Sequence, residues 1–135
     1  MNINTIPFIK LININQEEQT LSMNLKEDVL NHLNTIHAGA QYTLAETQSG
    51  VYLQNLFPHL EGKAIPILRD SKIKYKNPAK TSISASAISK EEDIEKFKTQ
   101  YEKKGRALIN VDVEVKDEND KISCQASFTW FIQSL

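Results

Sequence analysis

One carboxylate stands out in this sequence. From Ala38 to Phe57 the chain reads Ala-Gly-Ala-Gln-Tyr-Thr-Leu-Ala-Glu-Thr-Gln-Ser-Gly-Val-Tyr-Leu-Gln-Asn-Leu-Phe, and Glu46 is its only charged residue. The apolar and small side chains (Ala38, Ala40, Tyr42, Leu44, Ala45, Val51, Tyr52, Leu56) surround the helix this segment predicts and form no single stripe. A helix without a polar face is buried in its domain, and Pro58 stops it. A carboxyl taken out of water is harder to ionise, so its pKa rises toward the range a general base needs. The alternative is a structural carboxylate bonded to a nearby hydroxyl or backbone N–H.

The start of the same helix offers complementary chemistry. His37, Ala38 and Gly39 fall where backbone N–H groups lack intrahelical acceptors. Small residues at Ala38 and Gly39 let a ligand approach those donors, and the helix dipole adds positive potential suited to a developing oxyanion. His37 reads as a residue that satisfies the helix tip, and Asn31 as a cap for the preceding turn. Ala38 and Glu46 are eight residues apart, so about 12 Å of helix axis separates them. Reacting groups must meet within about 3–3.5 Å. If both act on one carbonyl, they come from different subunits, which predicts a twofold homodimer with two composite sites.

The rest of the chain must hold this helix in place. Period-two alternation puts Leu21, Met23 and Leu25 on one strand face, then Ile73 and Tyr75, then Ile83, Ala85 and Ala87. A long hairpin follows, with Ala107, Ile109, Val111, Val113 and Val115 on its first strand. After the turn Asp117–Asp120, Ile122, Cys124, Ala126, Phe128, Trp130 and Ile132 continue the pattern. Phe8–Ile14 reads as a further strand. Ser89-Lys-Glu-Glu has the form of a capping box before a short surface helix carrying Ile94, Phe97 and Tyr101, which Gly105 ends. The expected fold class is therefore α+β, an antiparallel sheet of about six strands wrapped around one long central helix.

Composition excludes several classes. With 135 residues, 40% hydrophobic and 24% charged, the chain suits a single domain spanning residues 1–135 and is too apolar for disorder. A formal net charge of −1 gives no global attraction to nucleic acid or membrane. A lone Cys124 leaves no disulfide framework, and the three histidines have no zinc-site spacing, so neither metal nor cofactor is expected. No apolar run is long enough to span a membrane, and asparagines interrupt the first isoleucines, so no secretory signal is read; the expected location is cytoplasmic. Lys72, Lys74, Lys76 and Lys80, with Arg69, form a basic cluster. It reads either as a solvated outer strand face or as a seat for coenzyme A phosphates. The absence of interleaved aromatic platforms argues against nucleic acid.

Asn31, His37 and Glu46, spaced by six and nine residues, together with Gly39, Leu44, Ala45 and Gly50, resemble a known signature. It is the Asn-x-x-Gly-x-x-His-Gly-Gly…Leu-Ala-Asp/Glu pattern of hotdog-fold acyl-CoA thioesterases of the phenylacetate-pathway type. Ile73-Lys-Tyr-Lys-Asn-Pro-Ala-Lys80 is similar to that family's strand and Pro-Ala turn. The resemblance implies a homodimer, or two such dimers joined as a tetramer, hydrolysing an acyl-CoA or acyl-pantetheine thioester. In it Glu46 activates water or attacks the carbonyl, the N–H of Ala38 or Gly39 polarises the carbonyl oxygen, Asn31 helps hold water or carbonyl, and His37 shapes the helix tip. Gly39, Lys72, Lys74 and Lys76 are then expected to bind substrate. Asn34 and Ala38 stand where the family has glycines, and Leu68 falls near a position where some members carry Ser or Thr. The methyl of Ala38 and the missing hydroxyl near Leu68 motivate the alternative of a non-catalytic acyl-CoA-binding or regulatory hotdog protein.

Overall fold

The computed structural model describes residues 1–135. Its elements run α1 (Pro7–Leu11), β1 (Asn15–Glu17), β2 (Thr20–Met23), α2 (Ala38–Leu56), β3 (Ala64–Tyr75), β4 (Ile83–Ile88), α3 (Glu91–Lys104), β5 (Arg106–Asp117) and β6 (Ile122–Ser134). The six strands form one antiparallel sheet in the order β1-β2-β4-β5-β6-β3. This is the hotdog fold: one long helix lies in the curl of a sheet that wraps around it.

The alternation in β5 and β6 produces this packing directly. Ile109, Val111 and Val113 pair with Trp130, Phe128 and Ala126, and all six are buried on the face turned to α2. Asn110, Asp112 and Glu114 pair with Thr129, Ser127 and Gln125 on the outer face, where the Ser127 hydroxyl donates to Asp112 and the Gln125 amide to Glu114. Cys124 is fully buried on the inner face, and burial pushes its thiol pKa up to about 11, so it is an inert core residue.

Buried polar residues tie the inner side of α2 to the sheet. The Gln48 carboxamide accepts from Leu21 N–H and donates to the Gln19 carbonyl, 2.9 Å each, which docks the helix on β2. Ser49 accepts from the Trp130 indole N–H across 2.8 Å, docking the helix on β6. Each such bond removes the desolvation cost of a buried polar group.

Several sequence expectations need correction. Phe8–Ile14 is not a strand: Pro7 occupies the first position of α1, where its missing N–H costs nothing, and Ile3, Ile9 and Ile14 are the buried residues, spaced five or six apart. Ser89 caps no helix. Its hydroxyl donates to the Asn110 carbonyl across 2.7 Å, its N–H donates to the Tyr52 hydroxyl across 3.0 Å, and α3 starts after Lys90 without a side-chain cap. That helix draws instead on Glu91, Glu92 and Asp93 in its first turn and on Gly105, left-handed at φ 70°, at its end. The strand read around Ile73 begins earlier, at Ala64. Pro66 is tolerated there because β3 is the edge of the sheet. Leu25 lies beyond β2 and is exposed.

Candidate active site

The tip of α2 is held from three sides. The Ile36 N–H donates to the carbonyl of fully buried Ala79, and the His37 N–H donates to Val29 across 2.7 Å. Ahead of it, Asn31 organises a tight turn. Its carbonyl accepts from the N–H groups of Leu33 and Thr35, its amide donates to the Thr35 hydroxyl, and Asn34 takes the left-handed φ of 61°. Asn31 thus spends its side chain on the turn, and Asn34 adopts the backbone that glycine or asparagine tolerates best.

The Ala38–Gly39 peptide is fixed at both ends by side chains. Tyr75 donates its hydroxyl to the Ala38 carbonyl across 2.9 Å, and His37, the N-cap, accepts the Gly39 N–H at Nδ1 across 2.8 Å. This leaves the exposed Ala38 N–H, at the first position of the helix, without an acceptor in the chain. In the sequence Tyr75 shows only as an apolar strand residue: its alternation with Lys74 gives the inward direction but not the partner of its hydroxyl.

Two turns further along, Glu46 is half-buried and has no cation within ion-pair distance. Burial raises its carboxyl above the ordinary carboxylate value, and the adjacent Thr47 hydroxyl offsets part of that. Glu46 opens on a cleft of about 500 Å³, also lined by Tyr42, Thr43, Thr47, Leu68 and Trp130. The N-terminal residues Met1, Ile6 and Phe8 add an apolar wall. Tyr42 is braced by a 2.8 Å bond to Ser71 and by an edge-on contact with Phe128. The backbone behind Glu46 is pinned as well, because Ser49 donates to the Glu46 carbonyl while accepting from Trp130.

The residues singled out from sequence fall into three places. Asn31, His37, Ala38 and Gly39 gather at the tip of α2, and Glu46 lies about 12 Å along its axis. Lys72 and Lys74 pair with Ser127 and Gln125 on the outer face of the sheet, opposite the Glu46 side. Lys76 follows the end of β3. Leu68 does line the cleft, so the hydroxyls beside Glu46 come from Thr43 and Thr47 of its own helix. The N-terminal wall of the cleft leaves no signal in the sequence, because Met1–Leu11 carries no periodic pattern. No helix is long and apolar enough to cross a membrane.

Comparison with known proteins adds to this geometry. A family model described as a domain of unknown function, DUF4442, matches residues 5–132. The sequence has no match among the curated proteins. Among solved structures, a Pseudomonas aeruginosa protein of unknown function, named a probable thioesterase, is 23% identical, with a TM-score of 0.83 over 98% of this chain and 91% of its own. A Haemophilus influenzae thioesterase is 16% identical, with a TM-score of 0.76 over 98% of this chain and 87% of its own. A Bacillus halodurans protein, solved with CoA, is 20% identical, with a TM-score of 0.73 over 93% of this chain and 74% of its own. At these identities the likeness is one of fold.

Proposed function

The chain belongs to the DUF4442 family, and from that premise we propose that it hydrolyses an acyl-CoA or related acyl-pantetheine thioester at a composite site on a homodimer seam. The observation that carries this reading is Glu46, a half-buried carboxyl without a cationic partner, opening on a largely apolar cleft. A group of this kind can take a proton from water at neutral pH.

In the proposed reaction the thioester oxygen lies against the Ala38 N–H of one subunit, since His37 already engages the Gly39 N–H. Glu46 of the other subunit takes a proton from a water molecule as its oxygen adds to the carbonyl carbon. The oxyanion that develops is held by the Ala38 amide and the positive end of α2. The C–S bond then breaks, the carboxylic acid forms, and the proton on Glu46 passes to the departing thiolate. Direct attack by Glu46, through a mixed anhydride that water then opens, would use the same contacts. His37 and Asn31 act on the tip and its turn, so both are positioning residues in this scheme.

The 12 Å between Ala38 and Glu46 supports a second subunit, because one helix cannot deliver both to a single carbonyl. The free edge of β3, twelve residues long against three in β1, is where another copy could add. Lys72, Lys74 and Lys76 offer point charges to the carrier's phosphates. Because Lys72 and Lys74 point to the outer face, away from Glu46, they can serve only the end of the carrier farthest from the thioester. The related names and the CoA complex in the Bacillus halodurans protein are consistent with this ligand class.

Leu68 in the cleft favours a second reading, an acyl-CoA-binding protein without turnover. Thiol release from acyl-CoA, compared between the native chain and Glu46→Gln, separates the two. The proposal expects hydrolysis that falls by at least about a hundredfold in the variant, the contribution of a general base. Binding without hydrolysis supports the second reading, and equal turnover in both proteins removes Glu46 from the reaction.

A further inference from the structure

Two hollows lie end to end along one side of α2. The first is the Glu46 cleft of about 500 Å³, and the second, of about 100 Å³, is walled mainly by Leu53, Phe57, Leu60 and Ile132. Gly50, Gln54 and Pro66 line both and form the neck between them. Helical spacing explains the alignment. Thr43, Glu46, Gly50, Gln54 and Phe57 fall on one stripe of α2, while Leu68, Pro66 and Ala64 recur every second residue along the facing side of β3.

Gly50 has no backbone reason to be glycine. It lies inside α2 without a positive φ, and a methyl group there would make ordinary contact, 3.7 Å, with Cη2 and Cζ2 of Trp130. Glycine inside a helix costs stability relative to alanine. What its missing side chain does provide is the room of about one methyl group beside the indole, on the wall where the two hollows join.

We propose that the two hollows form one acyl corridor with Gly50 as its neck, so that the substrate carries a long unbranched acyl chain and not a short or aromatic one. This rests on the thioesterase reading above and narrows it. From Glu46 to its end at Leu56 the helix runs about 15 Å, the reach of an extended dodecanoyl chain. Along that path the walls are apolar beyond Gln54, with Glu61 exposed to solvent. A short acyl group leaves the far hollow unfilled and forgoes its apolar contacts.

The test is thiol release from phenylacetyl-, butyryl-, octanoyl- and dodecanoyl-CoA by the native chain, Gly50→Ala, Gly50→Leu and Ala64→Phe, with melting temperatures to establish folding. In the native chain kcat/KM should rise at least about tenfold from butyryl to dodecanoyl. Gly50→Leu should cut the dodecanoyl-to-butyryl ratio by about tenfold or more. Gly50→Ala should fold with a higher melting temperature and a smaller loss of that ratio. Ala64→Phe, which fills the far hollow without touching the α2 backbone, should lower the ratio too. A native preference for phenylacetyl or butyryl, or a ratio unchanged in the folded variants, overturns the corridor and leaves the thioesterase reading standing. If no thioester is cleaved, that reading fails, and dansyl-undecanoic acid then tests the corridor alone. Binding of the probe to the native chain, reversed by dodecanoate and lost or clearly weakened in Gly50→Leu, upholds it; no binding, or equal binding to both proteins, overturns it.

Discussion

The Tyr75 hydroxyl reaches 2.9 Å from the edge strand to the Ala38 carbonyl, while His37 takes the Gly39 N–H of the same peptide. The peptide at the tip of α2 is therefore oriented by side chains at both ends, and with it the neighbouring Ala38 N–H. Burial raises the Tyr75 hydroxyl's pKa further, so it stays protonated and able to donate. Tyr75→Phe keeps the ring and deletes the bond. A neutral hydrogen bond contributes about 1 kcal/mol, so kcat should drop by about fivefold with KM little changed. A shift in KM alone would show that Tyr75 supports the fold and does not position the amide.

In the proposed reaction Glu46 makes activity depend on pH in a definite direction. Its carboxyl is raised by burial, so it ionises only above the ordinary carboxylate value. As base it must be ionised, and kcat/KM should therefore fall on the acid side through a pKa above 4.5. The same shift acts on stability. The folded chain holds the Glu46 proton more tightly than the unfolded chain, so ionisation costs stability. That cost is absent below the unfolded pKa, grows as pH rises, and is complete above the folded pKa. Glu46→Gln should accordingly melt higher than the native chain at neutral pH, and the gain should vanish at pH values below the unfolded pKa. Thermal unfolding at the two pH values checks the sign.

The bond from Trp130 to Ser49 ties the sheet to the helix beneath the cleft. Ser49 is fully buried, so Ser49→Ala leaves the indole N–H without an acceptor. The expected loss is about 1–3 kcal/mol, read from urea denaturation. No loss would mean that the indole had found another partner and that this contact does not hold the cleft wall.

Much of this architecture was legible in the residues themselves. The β5–β6 hairpin shows because each strand has one buried and one solvated face, as Val111 and Asp112 illustrate. The helix over Ala38–Leu56 shows because Glu46 is its only charge. The first half of β3 was hidden for the opposite reason: Ile65 and Ile67 point outward while Pro66 and Leu68 point inward, so both faces are apolar and alternation disappears. The Ser89 pattern misled because its hydroxyl was claimed by Asn110, a long-range partner no local motif reveals. At the site, residue types identified Glu46 and the tip. The clamp by Tyr75 and the N-terminal wall of the cleft depend on tertiary approach, which spacing does not encode.

The central claim is that Glu46 and the Ala38 amide of one site come from different subunits. Ala38→Pro deletes that donor where proline is best tolerated, at the first helical position, and His37 at φ −57°, ψ 138° already has the extended backbone that precedes proline. Each of Ala38→Pro and Glu46→Gln should be inactive alone. Mixed and reassociated in equal amounts, they should recover about a quarter of native acyl-CoA hydrolysis, because half the dimers are hybrids and each hybrid has one intact site. Recovery at that level is the predicted result; hybrids that form but stay inactive would contradict the account.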